Sequence, residues 1–191
     1  MSDSQKATLR AAALAAREAL SEDQRAAAAL AIARRGLPLE IAPGTIVSGY
    51  SPIRGEIDPL PLMRMLAGRG VRLALPTVTA RGRSLVFRVF SPDDRLMLGP
   101  LGIPEPSPAA AEVVPDIVLV PLAAFDRAGH RIGYGAGHYD RTLEQLRRSK
   151  AVTAIGIAFA AQEITAVPAL PHDVALDYVL TETQLFDFRS G

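Results

Sequence analysis

The sequence predicts an α/β protein: a single-domain, mainly parallel Rossmann-like sheet flanked by helices, with an N-terminal helical pair. Three observations predict it. Short β-type apolar runs alternate with helix-period segments between residues 45 and 180. Residues 117–120, Ile-Val-Leu-Val, are apolar without a break, as in a strand buried on both faces. A glycine-rich turn at 133–137 then runs straight into a helical pattern, the arrangement of a ligand loop in such folds.

The elements follow in order. Residues 4–20 are strong helix formers. Ser21 and Gln24 make a capping box for a second helix to about Arg35, and Gly36 with Pro38 ends it. Residues 45–50 form a β-type run. Asp58-Pro59 opens a helix through Leu60, Leu62, Met63 and Leu66, stopped by Gly68 and Gly70. Residues 71–75 form the next strand, and 84–90 alternate like a strand on a sheet edge. The Pro- and Gly-rich stretch 99–115 reads as an extended loop. The strand 117–120, the glycine loop and a helix from 139 to about 148 come next, then strands at 152–159 and 178–180.

A chain of 191 residues suits one domain, 1–191, and buries enough surface to need no staple. Hydrophobic residues make up 49%, which excludes a disordered chain. A net charge of +1 gives no electrostatic case for nucleic acid or membrane partners. With no cysteine, disulfides, thiolate nucleophiles and cysteine-zinc sites are excluded. Charges interrupt every apolar run short of a membrane span. Lys6, Arg10, Arg17 and Glu18 break up the alanine-rich opening, so no signal-peptide core forms. No Gly-x-Ser-x-Gly elbow appears, so a hydrolase triad has no support. We expect a cytoplasmic monomer that takes small molecules.

Chemistry concentrates at 133–141, Gly-Tyr-Gly-Ala-Gly-His-Tyr-Asp-Arg. Gly133, Gly135 and Gly137 remove every second Cβ and open the backbone to a ligand. Free amides running into a helix N-terminus favour phosphate. Asp140 at that end suits a metal that bridges phosphate oxygens, although an acid in a first helical turn also serves as a plain cap. The string matches neither the P-loop nor the dinucleotide fingerprint. On the first helix Arg10 and Arg17 lie about 40° and about 20° round from Lys6, so three cations share one face, either a solvated stripe or a polyphosphate clamp. Ser51 to Glu56 follows one strand and the glycine loop another, while His172-Asp173 enters the last. At the carboxyl ends of strands all three would line one cleft. Glu56 has no capping duty and is free to accept from a ligand's N–H groups. His138 or Tyr139 would stack on a flat ring. His130 and His138 lack the spacing of a helical zinc pair. Phe87 and Phe90 read as core and edge residues on opposite strand faces.

Together these pieces resemble the 5-formyltetrahydrofolate cyclo-ligase family. The opening Lys6-Ala-Thr-Leu-Arg10, the Gly55-Glu56-Ile57 loop and the Ile103-Pro104-Glu105-Pro106 segment each resemble a family motif. So do 121–126 followed by Arg131-Ile132-Gly133-Tyr134-Gly135, the closing Tyr139-Asp140-Arg141, and Gln162 with Pro171-His172-Asp173. This chain has Ala136 where the family often has Gly, and His138 where it often has Tyr or Phe. The resemblance implies ATP-driven ring closure of 5-formyltetrahydrofolate to 5,10-methenyltetrahydrofolate, with ATP and Mg2+ as cofactors. It implies that Lys6, Arg10, Arg131, Gly133, Tyr134, Gly135, Ala136, Gly137, His138 and Tyr139 hold ATP. Ser51, Glu56, Tyr134, His138 and Tyr139 would face the folate, Asp140 and Asp173 would hold magnesium, and Lys6 and Arg141 would be the catalytic cations. Two rival readings use the same frame: a relative acting on another formyl or carboxamide substrate, and a sensor that binds a phosphorylated ligand without turnover.

Overall fold

The structure, a computed structural model, describes residues 3–80, 82–170 and 173–189. His172 lies outside the described residues. Two helices open the chain, α1 (Asp3–Glu18) and α2 (Glu22–Arg35). The capping box between them is formed: Ser21 Oγ accepts from the Gln24 amide at 3.2 Å and Gln24 Oε1 accepts from the Ser21 amide at 2.8 Å. Then come β1 (Ile46–Ser48), α3 (Leu60–Ala67), β2 (Arg72–Thr77) and β3 (Val86–Phe90). The stretch expected to be an extended loop carries two-residue strands, β5 (Pro104–Glu105) and β6 (Glu112–Val113), with β4 (Met97–Leu98) just before it. β5 pairs with β4, and β6 pairs with β3 through Phe87 and Arg88. Among the described residues β3 is therefore not the sheet edge; β6 covers it. Pairs this short leave no periodicity to read in a Pro-rich sequence.

The second half runs β7 (Ile117–Pro121), the hairpin β8 (Ala124–Phe125) and β9 (Arg131–Ile132), α4 (His138–Ser149), β10 (Thr153–Ile157), β11 (Tyr178–Leu180) and β12 (Leu185–Asp187). Among the described residues the main sheet has the order β12-β11-β10-β7-β1-β2-β3-β6. Its centre is parallel, from β11 through β10, β7 and β1 to β2. The flanks β12, β3 and β6 are antiparallel. From β1 the chain first moves outward to β2 and later returns as β7 on β1's other side. The crevice between β1 and β7 is therefore a topological switch point, where the loops leaving two parallel strands diverge.

Both sheet faces are covered, which explains the unbroken apolar run in β7. Ile117 and Leu119 face Ile32 of α2 and Leu62, Met63 and Leu66 of α3. Val118 and Val120 face Leu143 and Leu146 of α4. Phe90 and Phe87 divide between the same two layers, both buried. α1 stands apart from these layers: Leu9 and Ala13 pack on Ala124, Ile132 and Val167, beside the loops that leave β7. That small apolar contact sets the basic face of α1 above the switch point.

Gly156 in central β10 has no room for a larger residue. A Cβ there would lie 2.7 Å from Leu176 Cδ1 and 2.9 Å from both Leu122 Cδ2 and Val179 Cγ2. Gly156→Ala is expected to destabilise the fold by about 1–3 kcal/mol through overpacking, read as a lower urea midpoint with unchanged slope. An unchanged midpoint would show that Leu122, Leu176 and Val179 can give way to a methyl group.

Candidate active site

One cleft of about 500 Å³ opens over the carboxyl ends of β1, β2 and β7. The loop 51–56, the loop 133–137, the start of α4, the face of α1, Leu170 and Asp173 line it. Lys6, Arg10, Ser51, Glu56, Arg131, residues 133–141 and Asp173 line it, whereas Arg17, the third cation of the expected clamp, is buried behind it.

The nucleophile-free, cation-rich wall is built from α1 and the glycine loop. Lys6 Nζ pairs with Asp173 Oδ2 at 2.5 Å. Arg10 Nε donates to the Gly133 carbonyl at 2.7 Å. Gly135 and Gly137 hold left-handed φ values of 89° and 63°, so the turn itself needs glycine at both. Gly133 is different: a Cβ there would meet nothing within 4 Å, and its glycine leaves the cleft side of the backbone bare. Gly137 caps α4 without any side-chain hydrogen bond, so the first-turn amides keep their donors. The Arg141 guanidinium folds back and donates to the Ala136 carbonyl, bracing the loop.

The acids are interlocked with cations. Asp140 Oδ1 accepts from Arg131 at 2.6 Å and from the Val174 amide at 3.2 Å. Arg131 also donates to the Val174 carbonyl. Burial pulls the Arg131 guanidinium down from its ordinary value, while Asp140 and Asp173 pull it back up. Asp173 closes a turn as well, accepting from the Leu170 amide at 2.7 Å. His130 sits 3.4 Å from Asp126, away from the cleft lining. Among the described residues no group of three or more His, Cys, Asp or Glu could cage a metal. Asp140 Oδ2 accepts no hydrogen bond among the described residues, however, and lies on the same cleft as Asp173. These carboxylates would suit a magnesium that arrives with phosphate oxygens better than a preformed all-protein site.

The opposite wall carries Glu56, 8% exposed. Its Oε2 accepts from the Ile53 amide at 2.8 Å, whereas Oε1 is buried and makes no hydrogen bond of good geometry, the Tyr134 hydroxyl being near enough only to favour its ionised form. An unpaired buried acceptor in a cleft suits a ligand's N–H donor. Ser51 Oγ donates to the Pro104 carbonyl at 2.5 Å and so joins this loop to β5. His138 Nδ1 meets the Arg83 carbonyl at 2.7 Å; a carbonyl only accepts, so Nδ1 carries the proton there. Burial raises the phenols of Tyr134 and Tyr139 well above their ordinary value, and both stay neutral.

Several lining residues had no site role assigned from the sequence, among them Tyr50, Val78 and Leu101, and Ile103 and Glu105 of the family-like motif. Glu105 is the notable one. It is 7% exposed, and its Oε1 accepts from the Val78 amide at 3.1 Å. Gly99 makes room for it, since a Cβ there would lie 2.3 Å from the carboxyl carbon. The Glu-Pro pair was visible in the sequence, but nothing local marks an acid in a Pro-rich stretch as buried.

Comparison with known proteins bears on this cleft. The family model for the 5-formyltetrahydrofolate cyclo-ligase family matches residues 2–182. The chain belongs to that family. It is similar to the 5-formyltetrahydrofolate cyclo-ligase of Mycolicibacterium smegmatis, with 36% identity over 191 residues and 95% of each chain covered. Among solved structures it resembles the 5,10-methenyltetrahydrofolate synthetase of Aquifex aeolicus at a TM-score of 0.78 and 29% identity, covering 97% of this chain and 94% of that one. The synthetase of Mycoplasma pneumoniae superposes at a TM-score of 0.72 and 25% identity, covering 93% and 98%.

Burial raises the Glu56 carboxyl above its ordinary 4.5, against the lowering influence of the Ile53 amide, the Tyr134 hydroxyl and Arg17. The folded chain therefore holds this proton more tightly than the unfolded chain. Ionising Glu56 in place costs nothing below the ordinary value, where both states are protonated, and costs most above the raised folded value. The stability difference between Glu56→Gln and the parent, followed by urea unfolding at each pH, should grow in the variant's favour as pH rises from below the ordinary carboxyl value through the raised folded one. A flat difference would mean that Glu56 is as well solvated as a surface acid.

Proposed function

We propose that this chain, acting as a single-domain enzyme, converts 5-formyltetrahydrofolate to 5,10-methenyltetrahydrofolate at the expense of ATP, releasing ADP and phosphate. The observation that carries the reading is the meeting of Lys6 and Arg10, from the first helix, with the bare backbone of 133–137 on one side of a cleft whose other side holds the unpaired carboxylate oxygen of Glu56. One wall suits phosphate and the other a ring edge rich in N–H groups.

In this reading the γ-phosphoryl group of ATP passes to the formyl oxygen on N5. N10 then attacks the formyl carbon and loses its proton, and the carbon–oxygen bond breaks to release phosphate. Phosphoryl transfer of this kind depends on positioning and charge neutralisation more than on a protein nucleophile. Lys6 and Arg10 neutralise phosphate charge from the α1 side. Arg131 and the amides of 133–139 hold the triphosphate, and Arg141 keeps the loop in its turn while adding positive charge beside it. Ser51 and Glu56 face the pterin, with Glu56 accepting from its N–H groups, and Tyr134, His138 and Tyr139 lie where both ligands meet. Asp140 and Asp173 would hold magnesium, which supplies charge neutralisation on the phosphates when bound.

We infer a monomer of the cytoplasm with small-molecule substrates and no nucleic acid or membrane partner. No helix among the described residues is long and apolar enough to cross a membrane.

The test is a paired assay of ADP release and methenyl product with and without 5-formyltetrahydrofolate. Release of ADP that needs 5-formyltetrahydrofolate and matches the methenyl product mole for mole is the expected result. Binding without ADP formation would favour a sensor, and ADP formation only with another formyl compound would move the substrate. Lys6→Ala is expected to raise the KM for ATP by about tenfold or more, for the loss of one charge-assisted contact. Asp140→Ala is expected to lower kcat by about a hundredfold or more. Wild-type constants in both variants would remove these residues from the mechanism.

A further inference from the structure

We propose that Arg17 is a positioning residue that ties the two walls of the cleft together, so that folate on one wall and nucleotide on the other bind cooperatively. This rests on the assignment of those walls under the proposed function.

Arg17 stands on the face of α1 that carries Lys6 and Arg10, but unlike them it does not line the cleft. It is 0% exposed, a fully buried cation. Nη1 donates to the Tyr134 hydroxyl at 2.7 Å, and Nη2 donates to the Arg54 carbonyl at 2.6 Å. The guanidinium carbon lies 5.8 Å from the centre of the Tyr134 ring. Nε is buried with no partner, and among the described residues Arg17 has no salt bridge.

The two acceptors belong to different walls. Tyr134 stands inside the glycine loop. Arg54 stands in the loop after β1, two residues before Glu56, and holds a left-handed φ of 49° that a non-glycine residue adopts only when its surroundings impose it. A guanidinium is a planar fork with fixed angles between its donors, so a shift of either acceptor is passed to the other. Arg17 is not the sole attachment of α1, because Leu9 and Ala13 also pack on Ala124, Ile132 and Val167. A buried cation spent on one residue from each wall does what an apolar side chain at position 17 would not do: it makes the position of the pterin loop depend on the position of the phosphate loop. Tyr134 adds a second link. Its oxygen accepts from Arg17, which leaves the phenol proton for a neighbouring acceptor, and both Tyr134 and Arg17 favour the ionised form of Glu56.

The experiment is a calorimetric binding cycle on the full chain. Adenylyl-imidodiphosphate with magnesium is titrated with and without saturating 5-formyltetrahydrofolate, and the ratio of the two dissociation constants is the coupling. The expected ratio for the parent chain is about fivefold or more in favour of tighter nucleotide binding with folate present. Tyr134→Phe, which deletes one oxygen, and Arg17→Lys, which loses the fork, should each bring the ratio close to one. Each ratio comes from one variant's own cycle, so a general loss of affinity or stability cancels. If Arg17→Lys does not fold, Tyr134→Phe decides alone. A ratio equal to that of the parent chain in either variant that folds, or a parent ratio of one, overturns the inference. Absence of 5-formyltetrahydrofolate turnover in the parent chain would instead sink the functional reading.

Discussion

The site depends on one long-range contact, the hydrogen bond from Arg10 Nε to the Gly133 carbonyl at 2.7 Å. It joins the first helix to a turn in the latter half of the chain. Lys6 to Asp173 and Arg17 to Tyr134 are the companion contacts from the same helical face. A cation every turn or two of one helix therefore lands on a different part of the cleft. What allows this is weakly apolar: the small side of α1, Leu9 and Ala13, seated beside β8 and β9. α1 contributes little to the main core, and its docking serves the cleft.

The charge pattern of the cleft follows from that docking. Lys6 is matched by Asp173, and Arg131 by Asp140, so the wall of α1 and the glycine loop rests as ion pairs. Such pairs are low in net charge yet hold cations and carboxylates ready at fixed places, with little side-chain entropy left to lose on binding. The Glu56 side rests in the opposite condition, with an acceptor oxygen buried and unpaired. A buried acceptor without a donor lowers stability, and it is tolerated where a ligand's donor completes it. The two walls thus differ in how each satisfies its polar groups.

The sequence carried the frame of this fold because the frame rests on local signals. The capping box at Ser21 and Gln24, the unbroken run of β7 and the glycine turn before α4 each have a short-range cause, and each stands where expected. The strand ends were less legible: β1 is three residues, Ile46–Ser48, inside a longer apolar run. β4, β5 and β6 went unseen because two-residue pairings are made by tertiary contact and not by propensity. In the site, helical spacing placed Lys6, Arg10 and Arg17 on one face, but it could not tell two cleft residues from one buried anchor. That distinction arises where α1 meets Tyr134 and Arg54, far away in sequence. Glu105 escaped for the same reason, since the amide of Val78 and the space at Gly99 come together only in the folded chain.

The central claim is that α1 and the glycine loop grip one triphosphate together. Hydrogen exchange of the full chain, with and without adenylyl-imidodiphosphate and magnesium, tests it most directly. The account predicts that amides in the α1 segment 4–17 and in 133–140 gain protection together at the same nucleotide concentration. Protection confined to 133–140, with α1 exchanging as in the free protein, would contradict it.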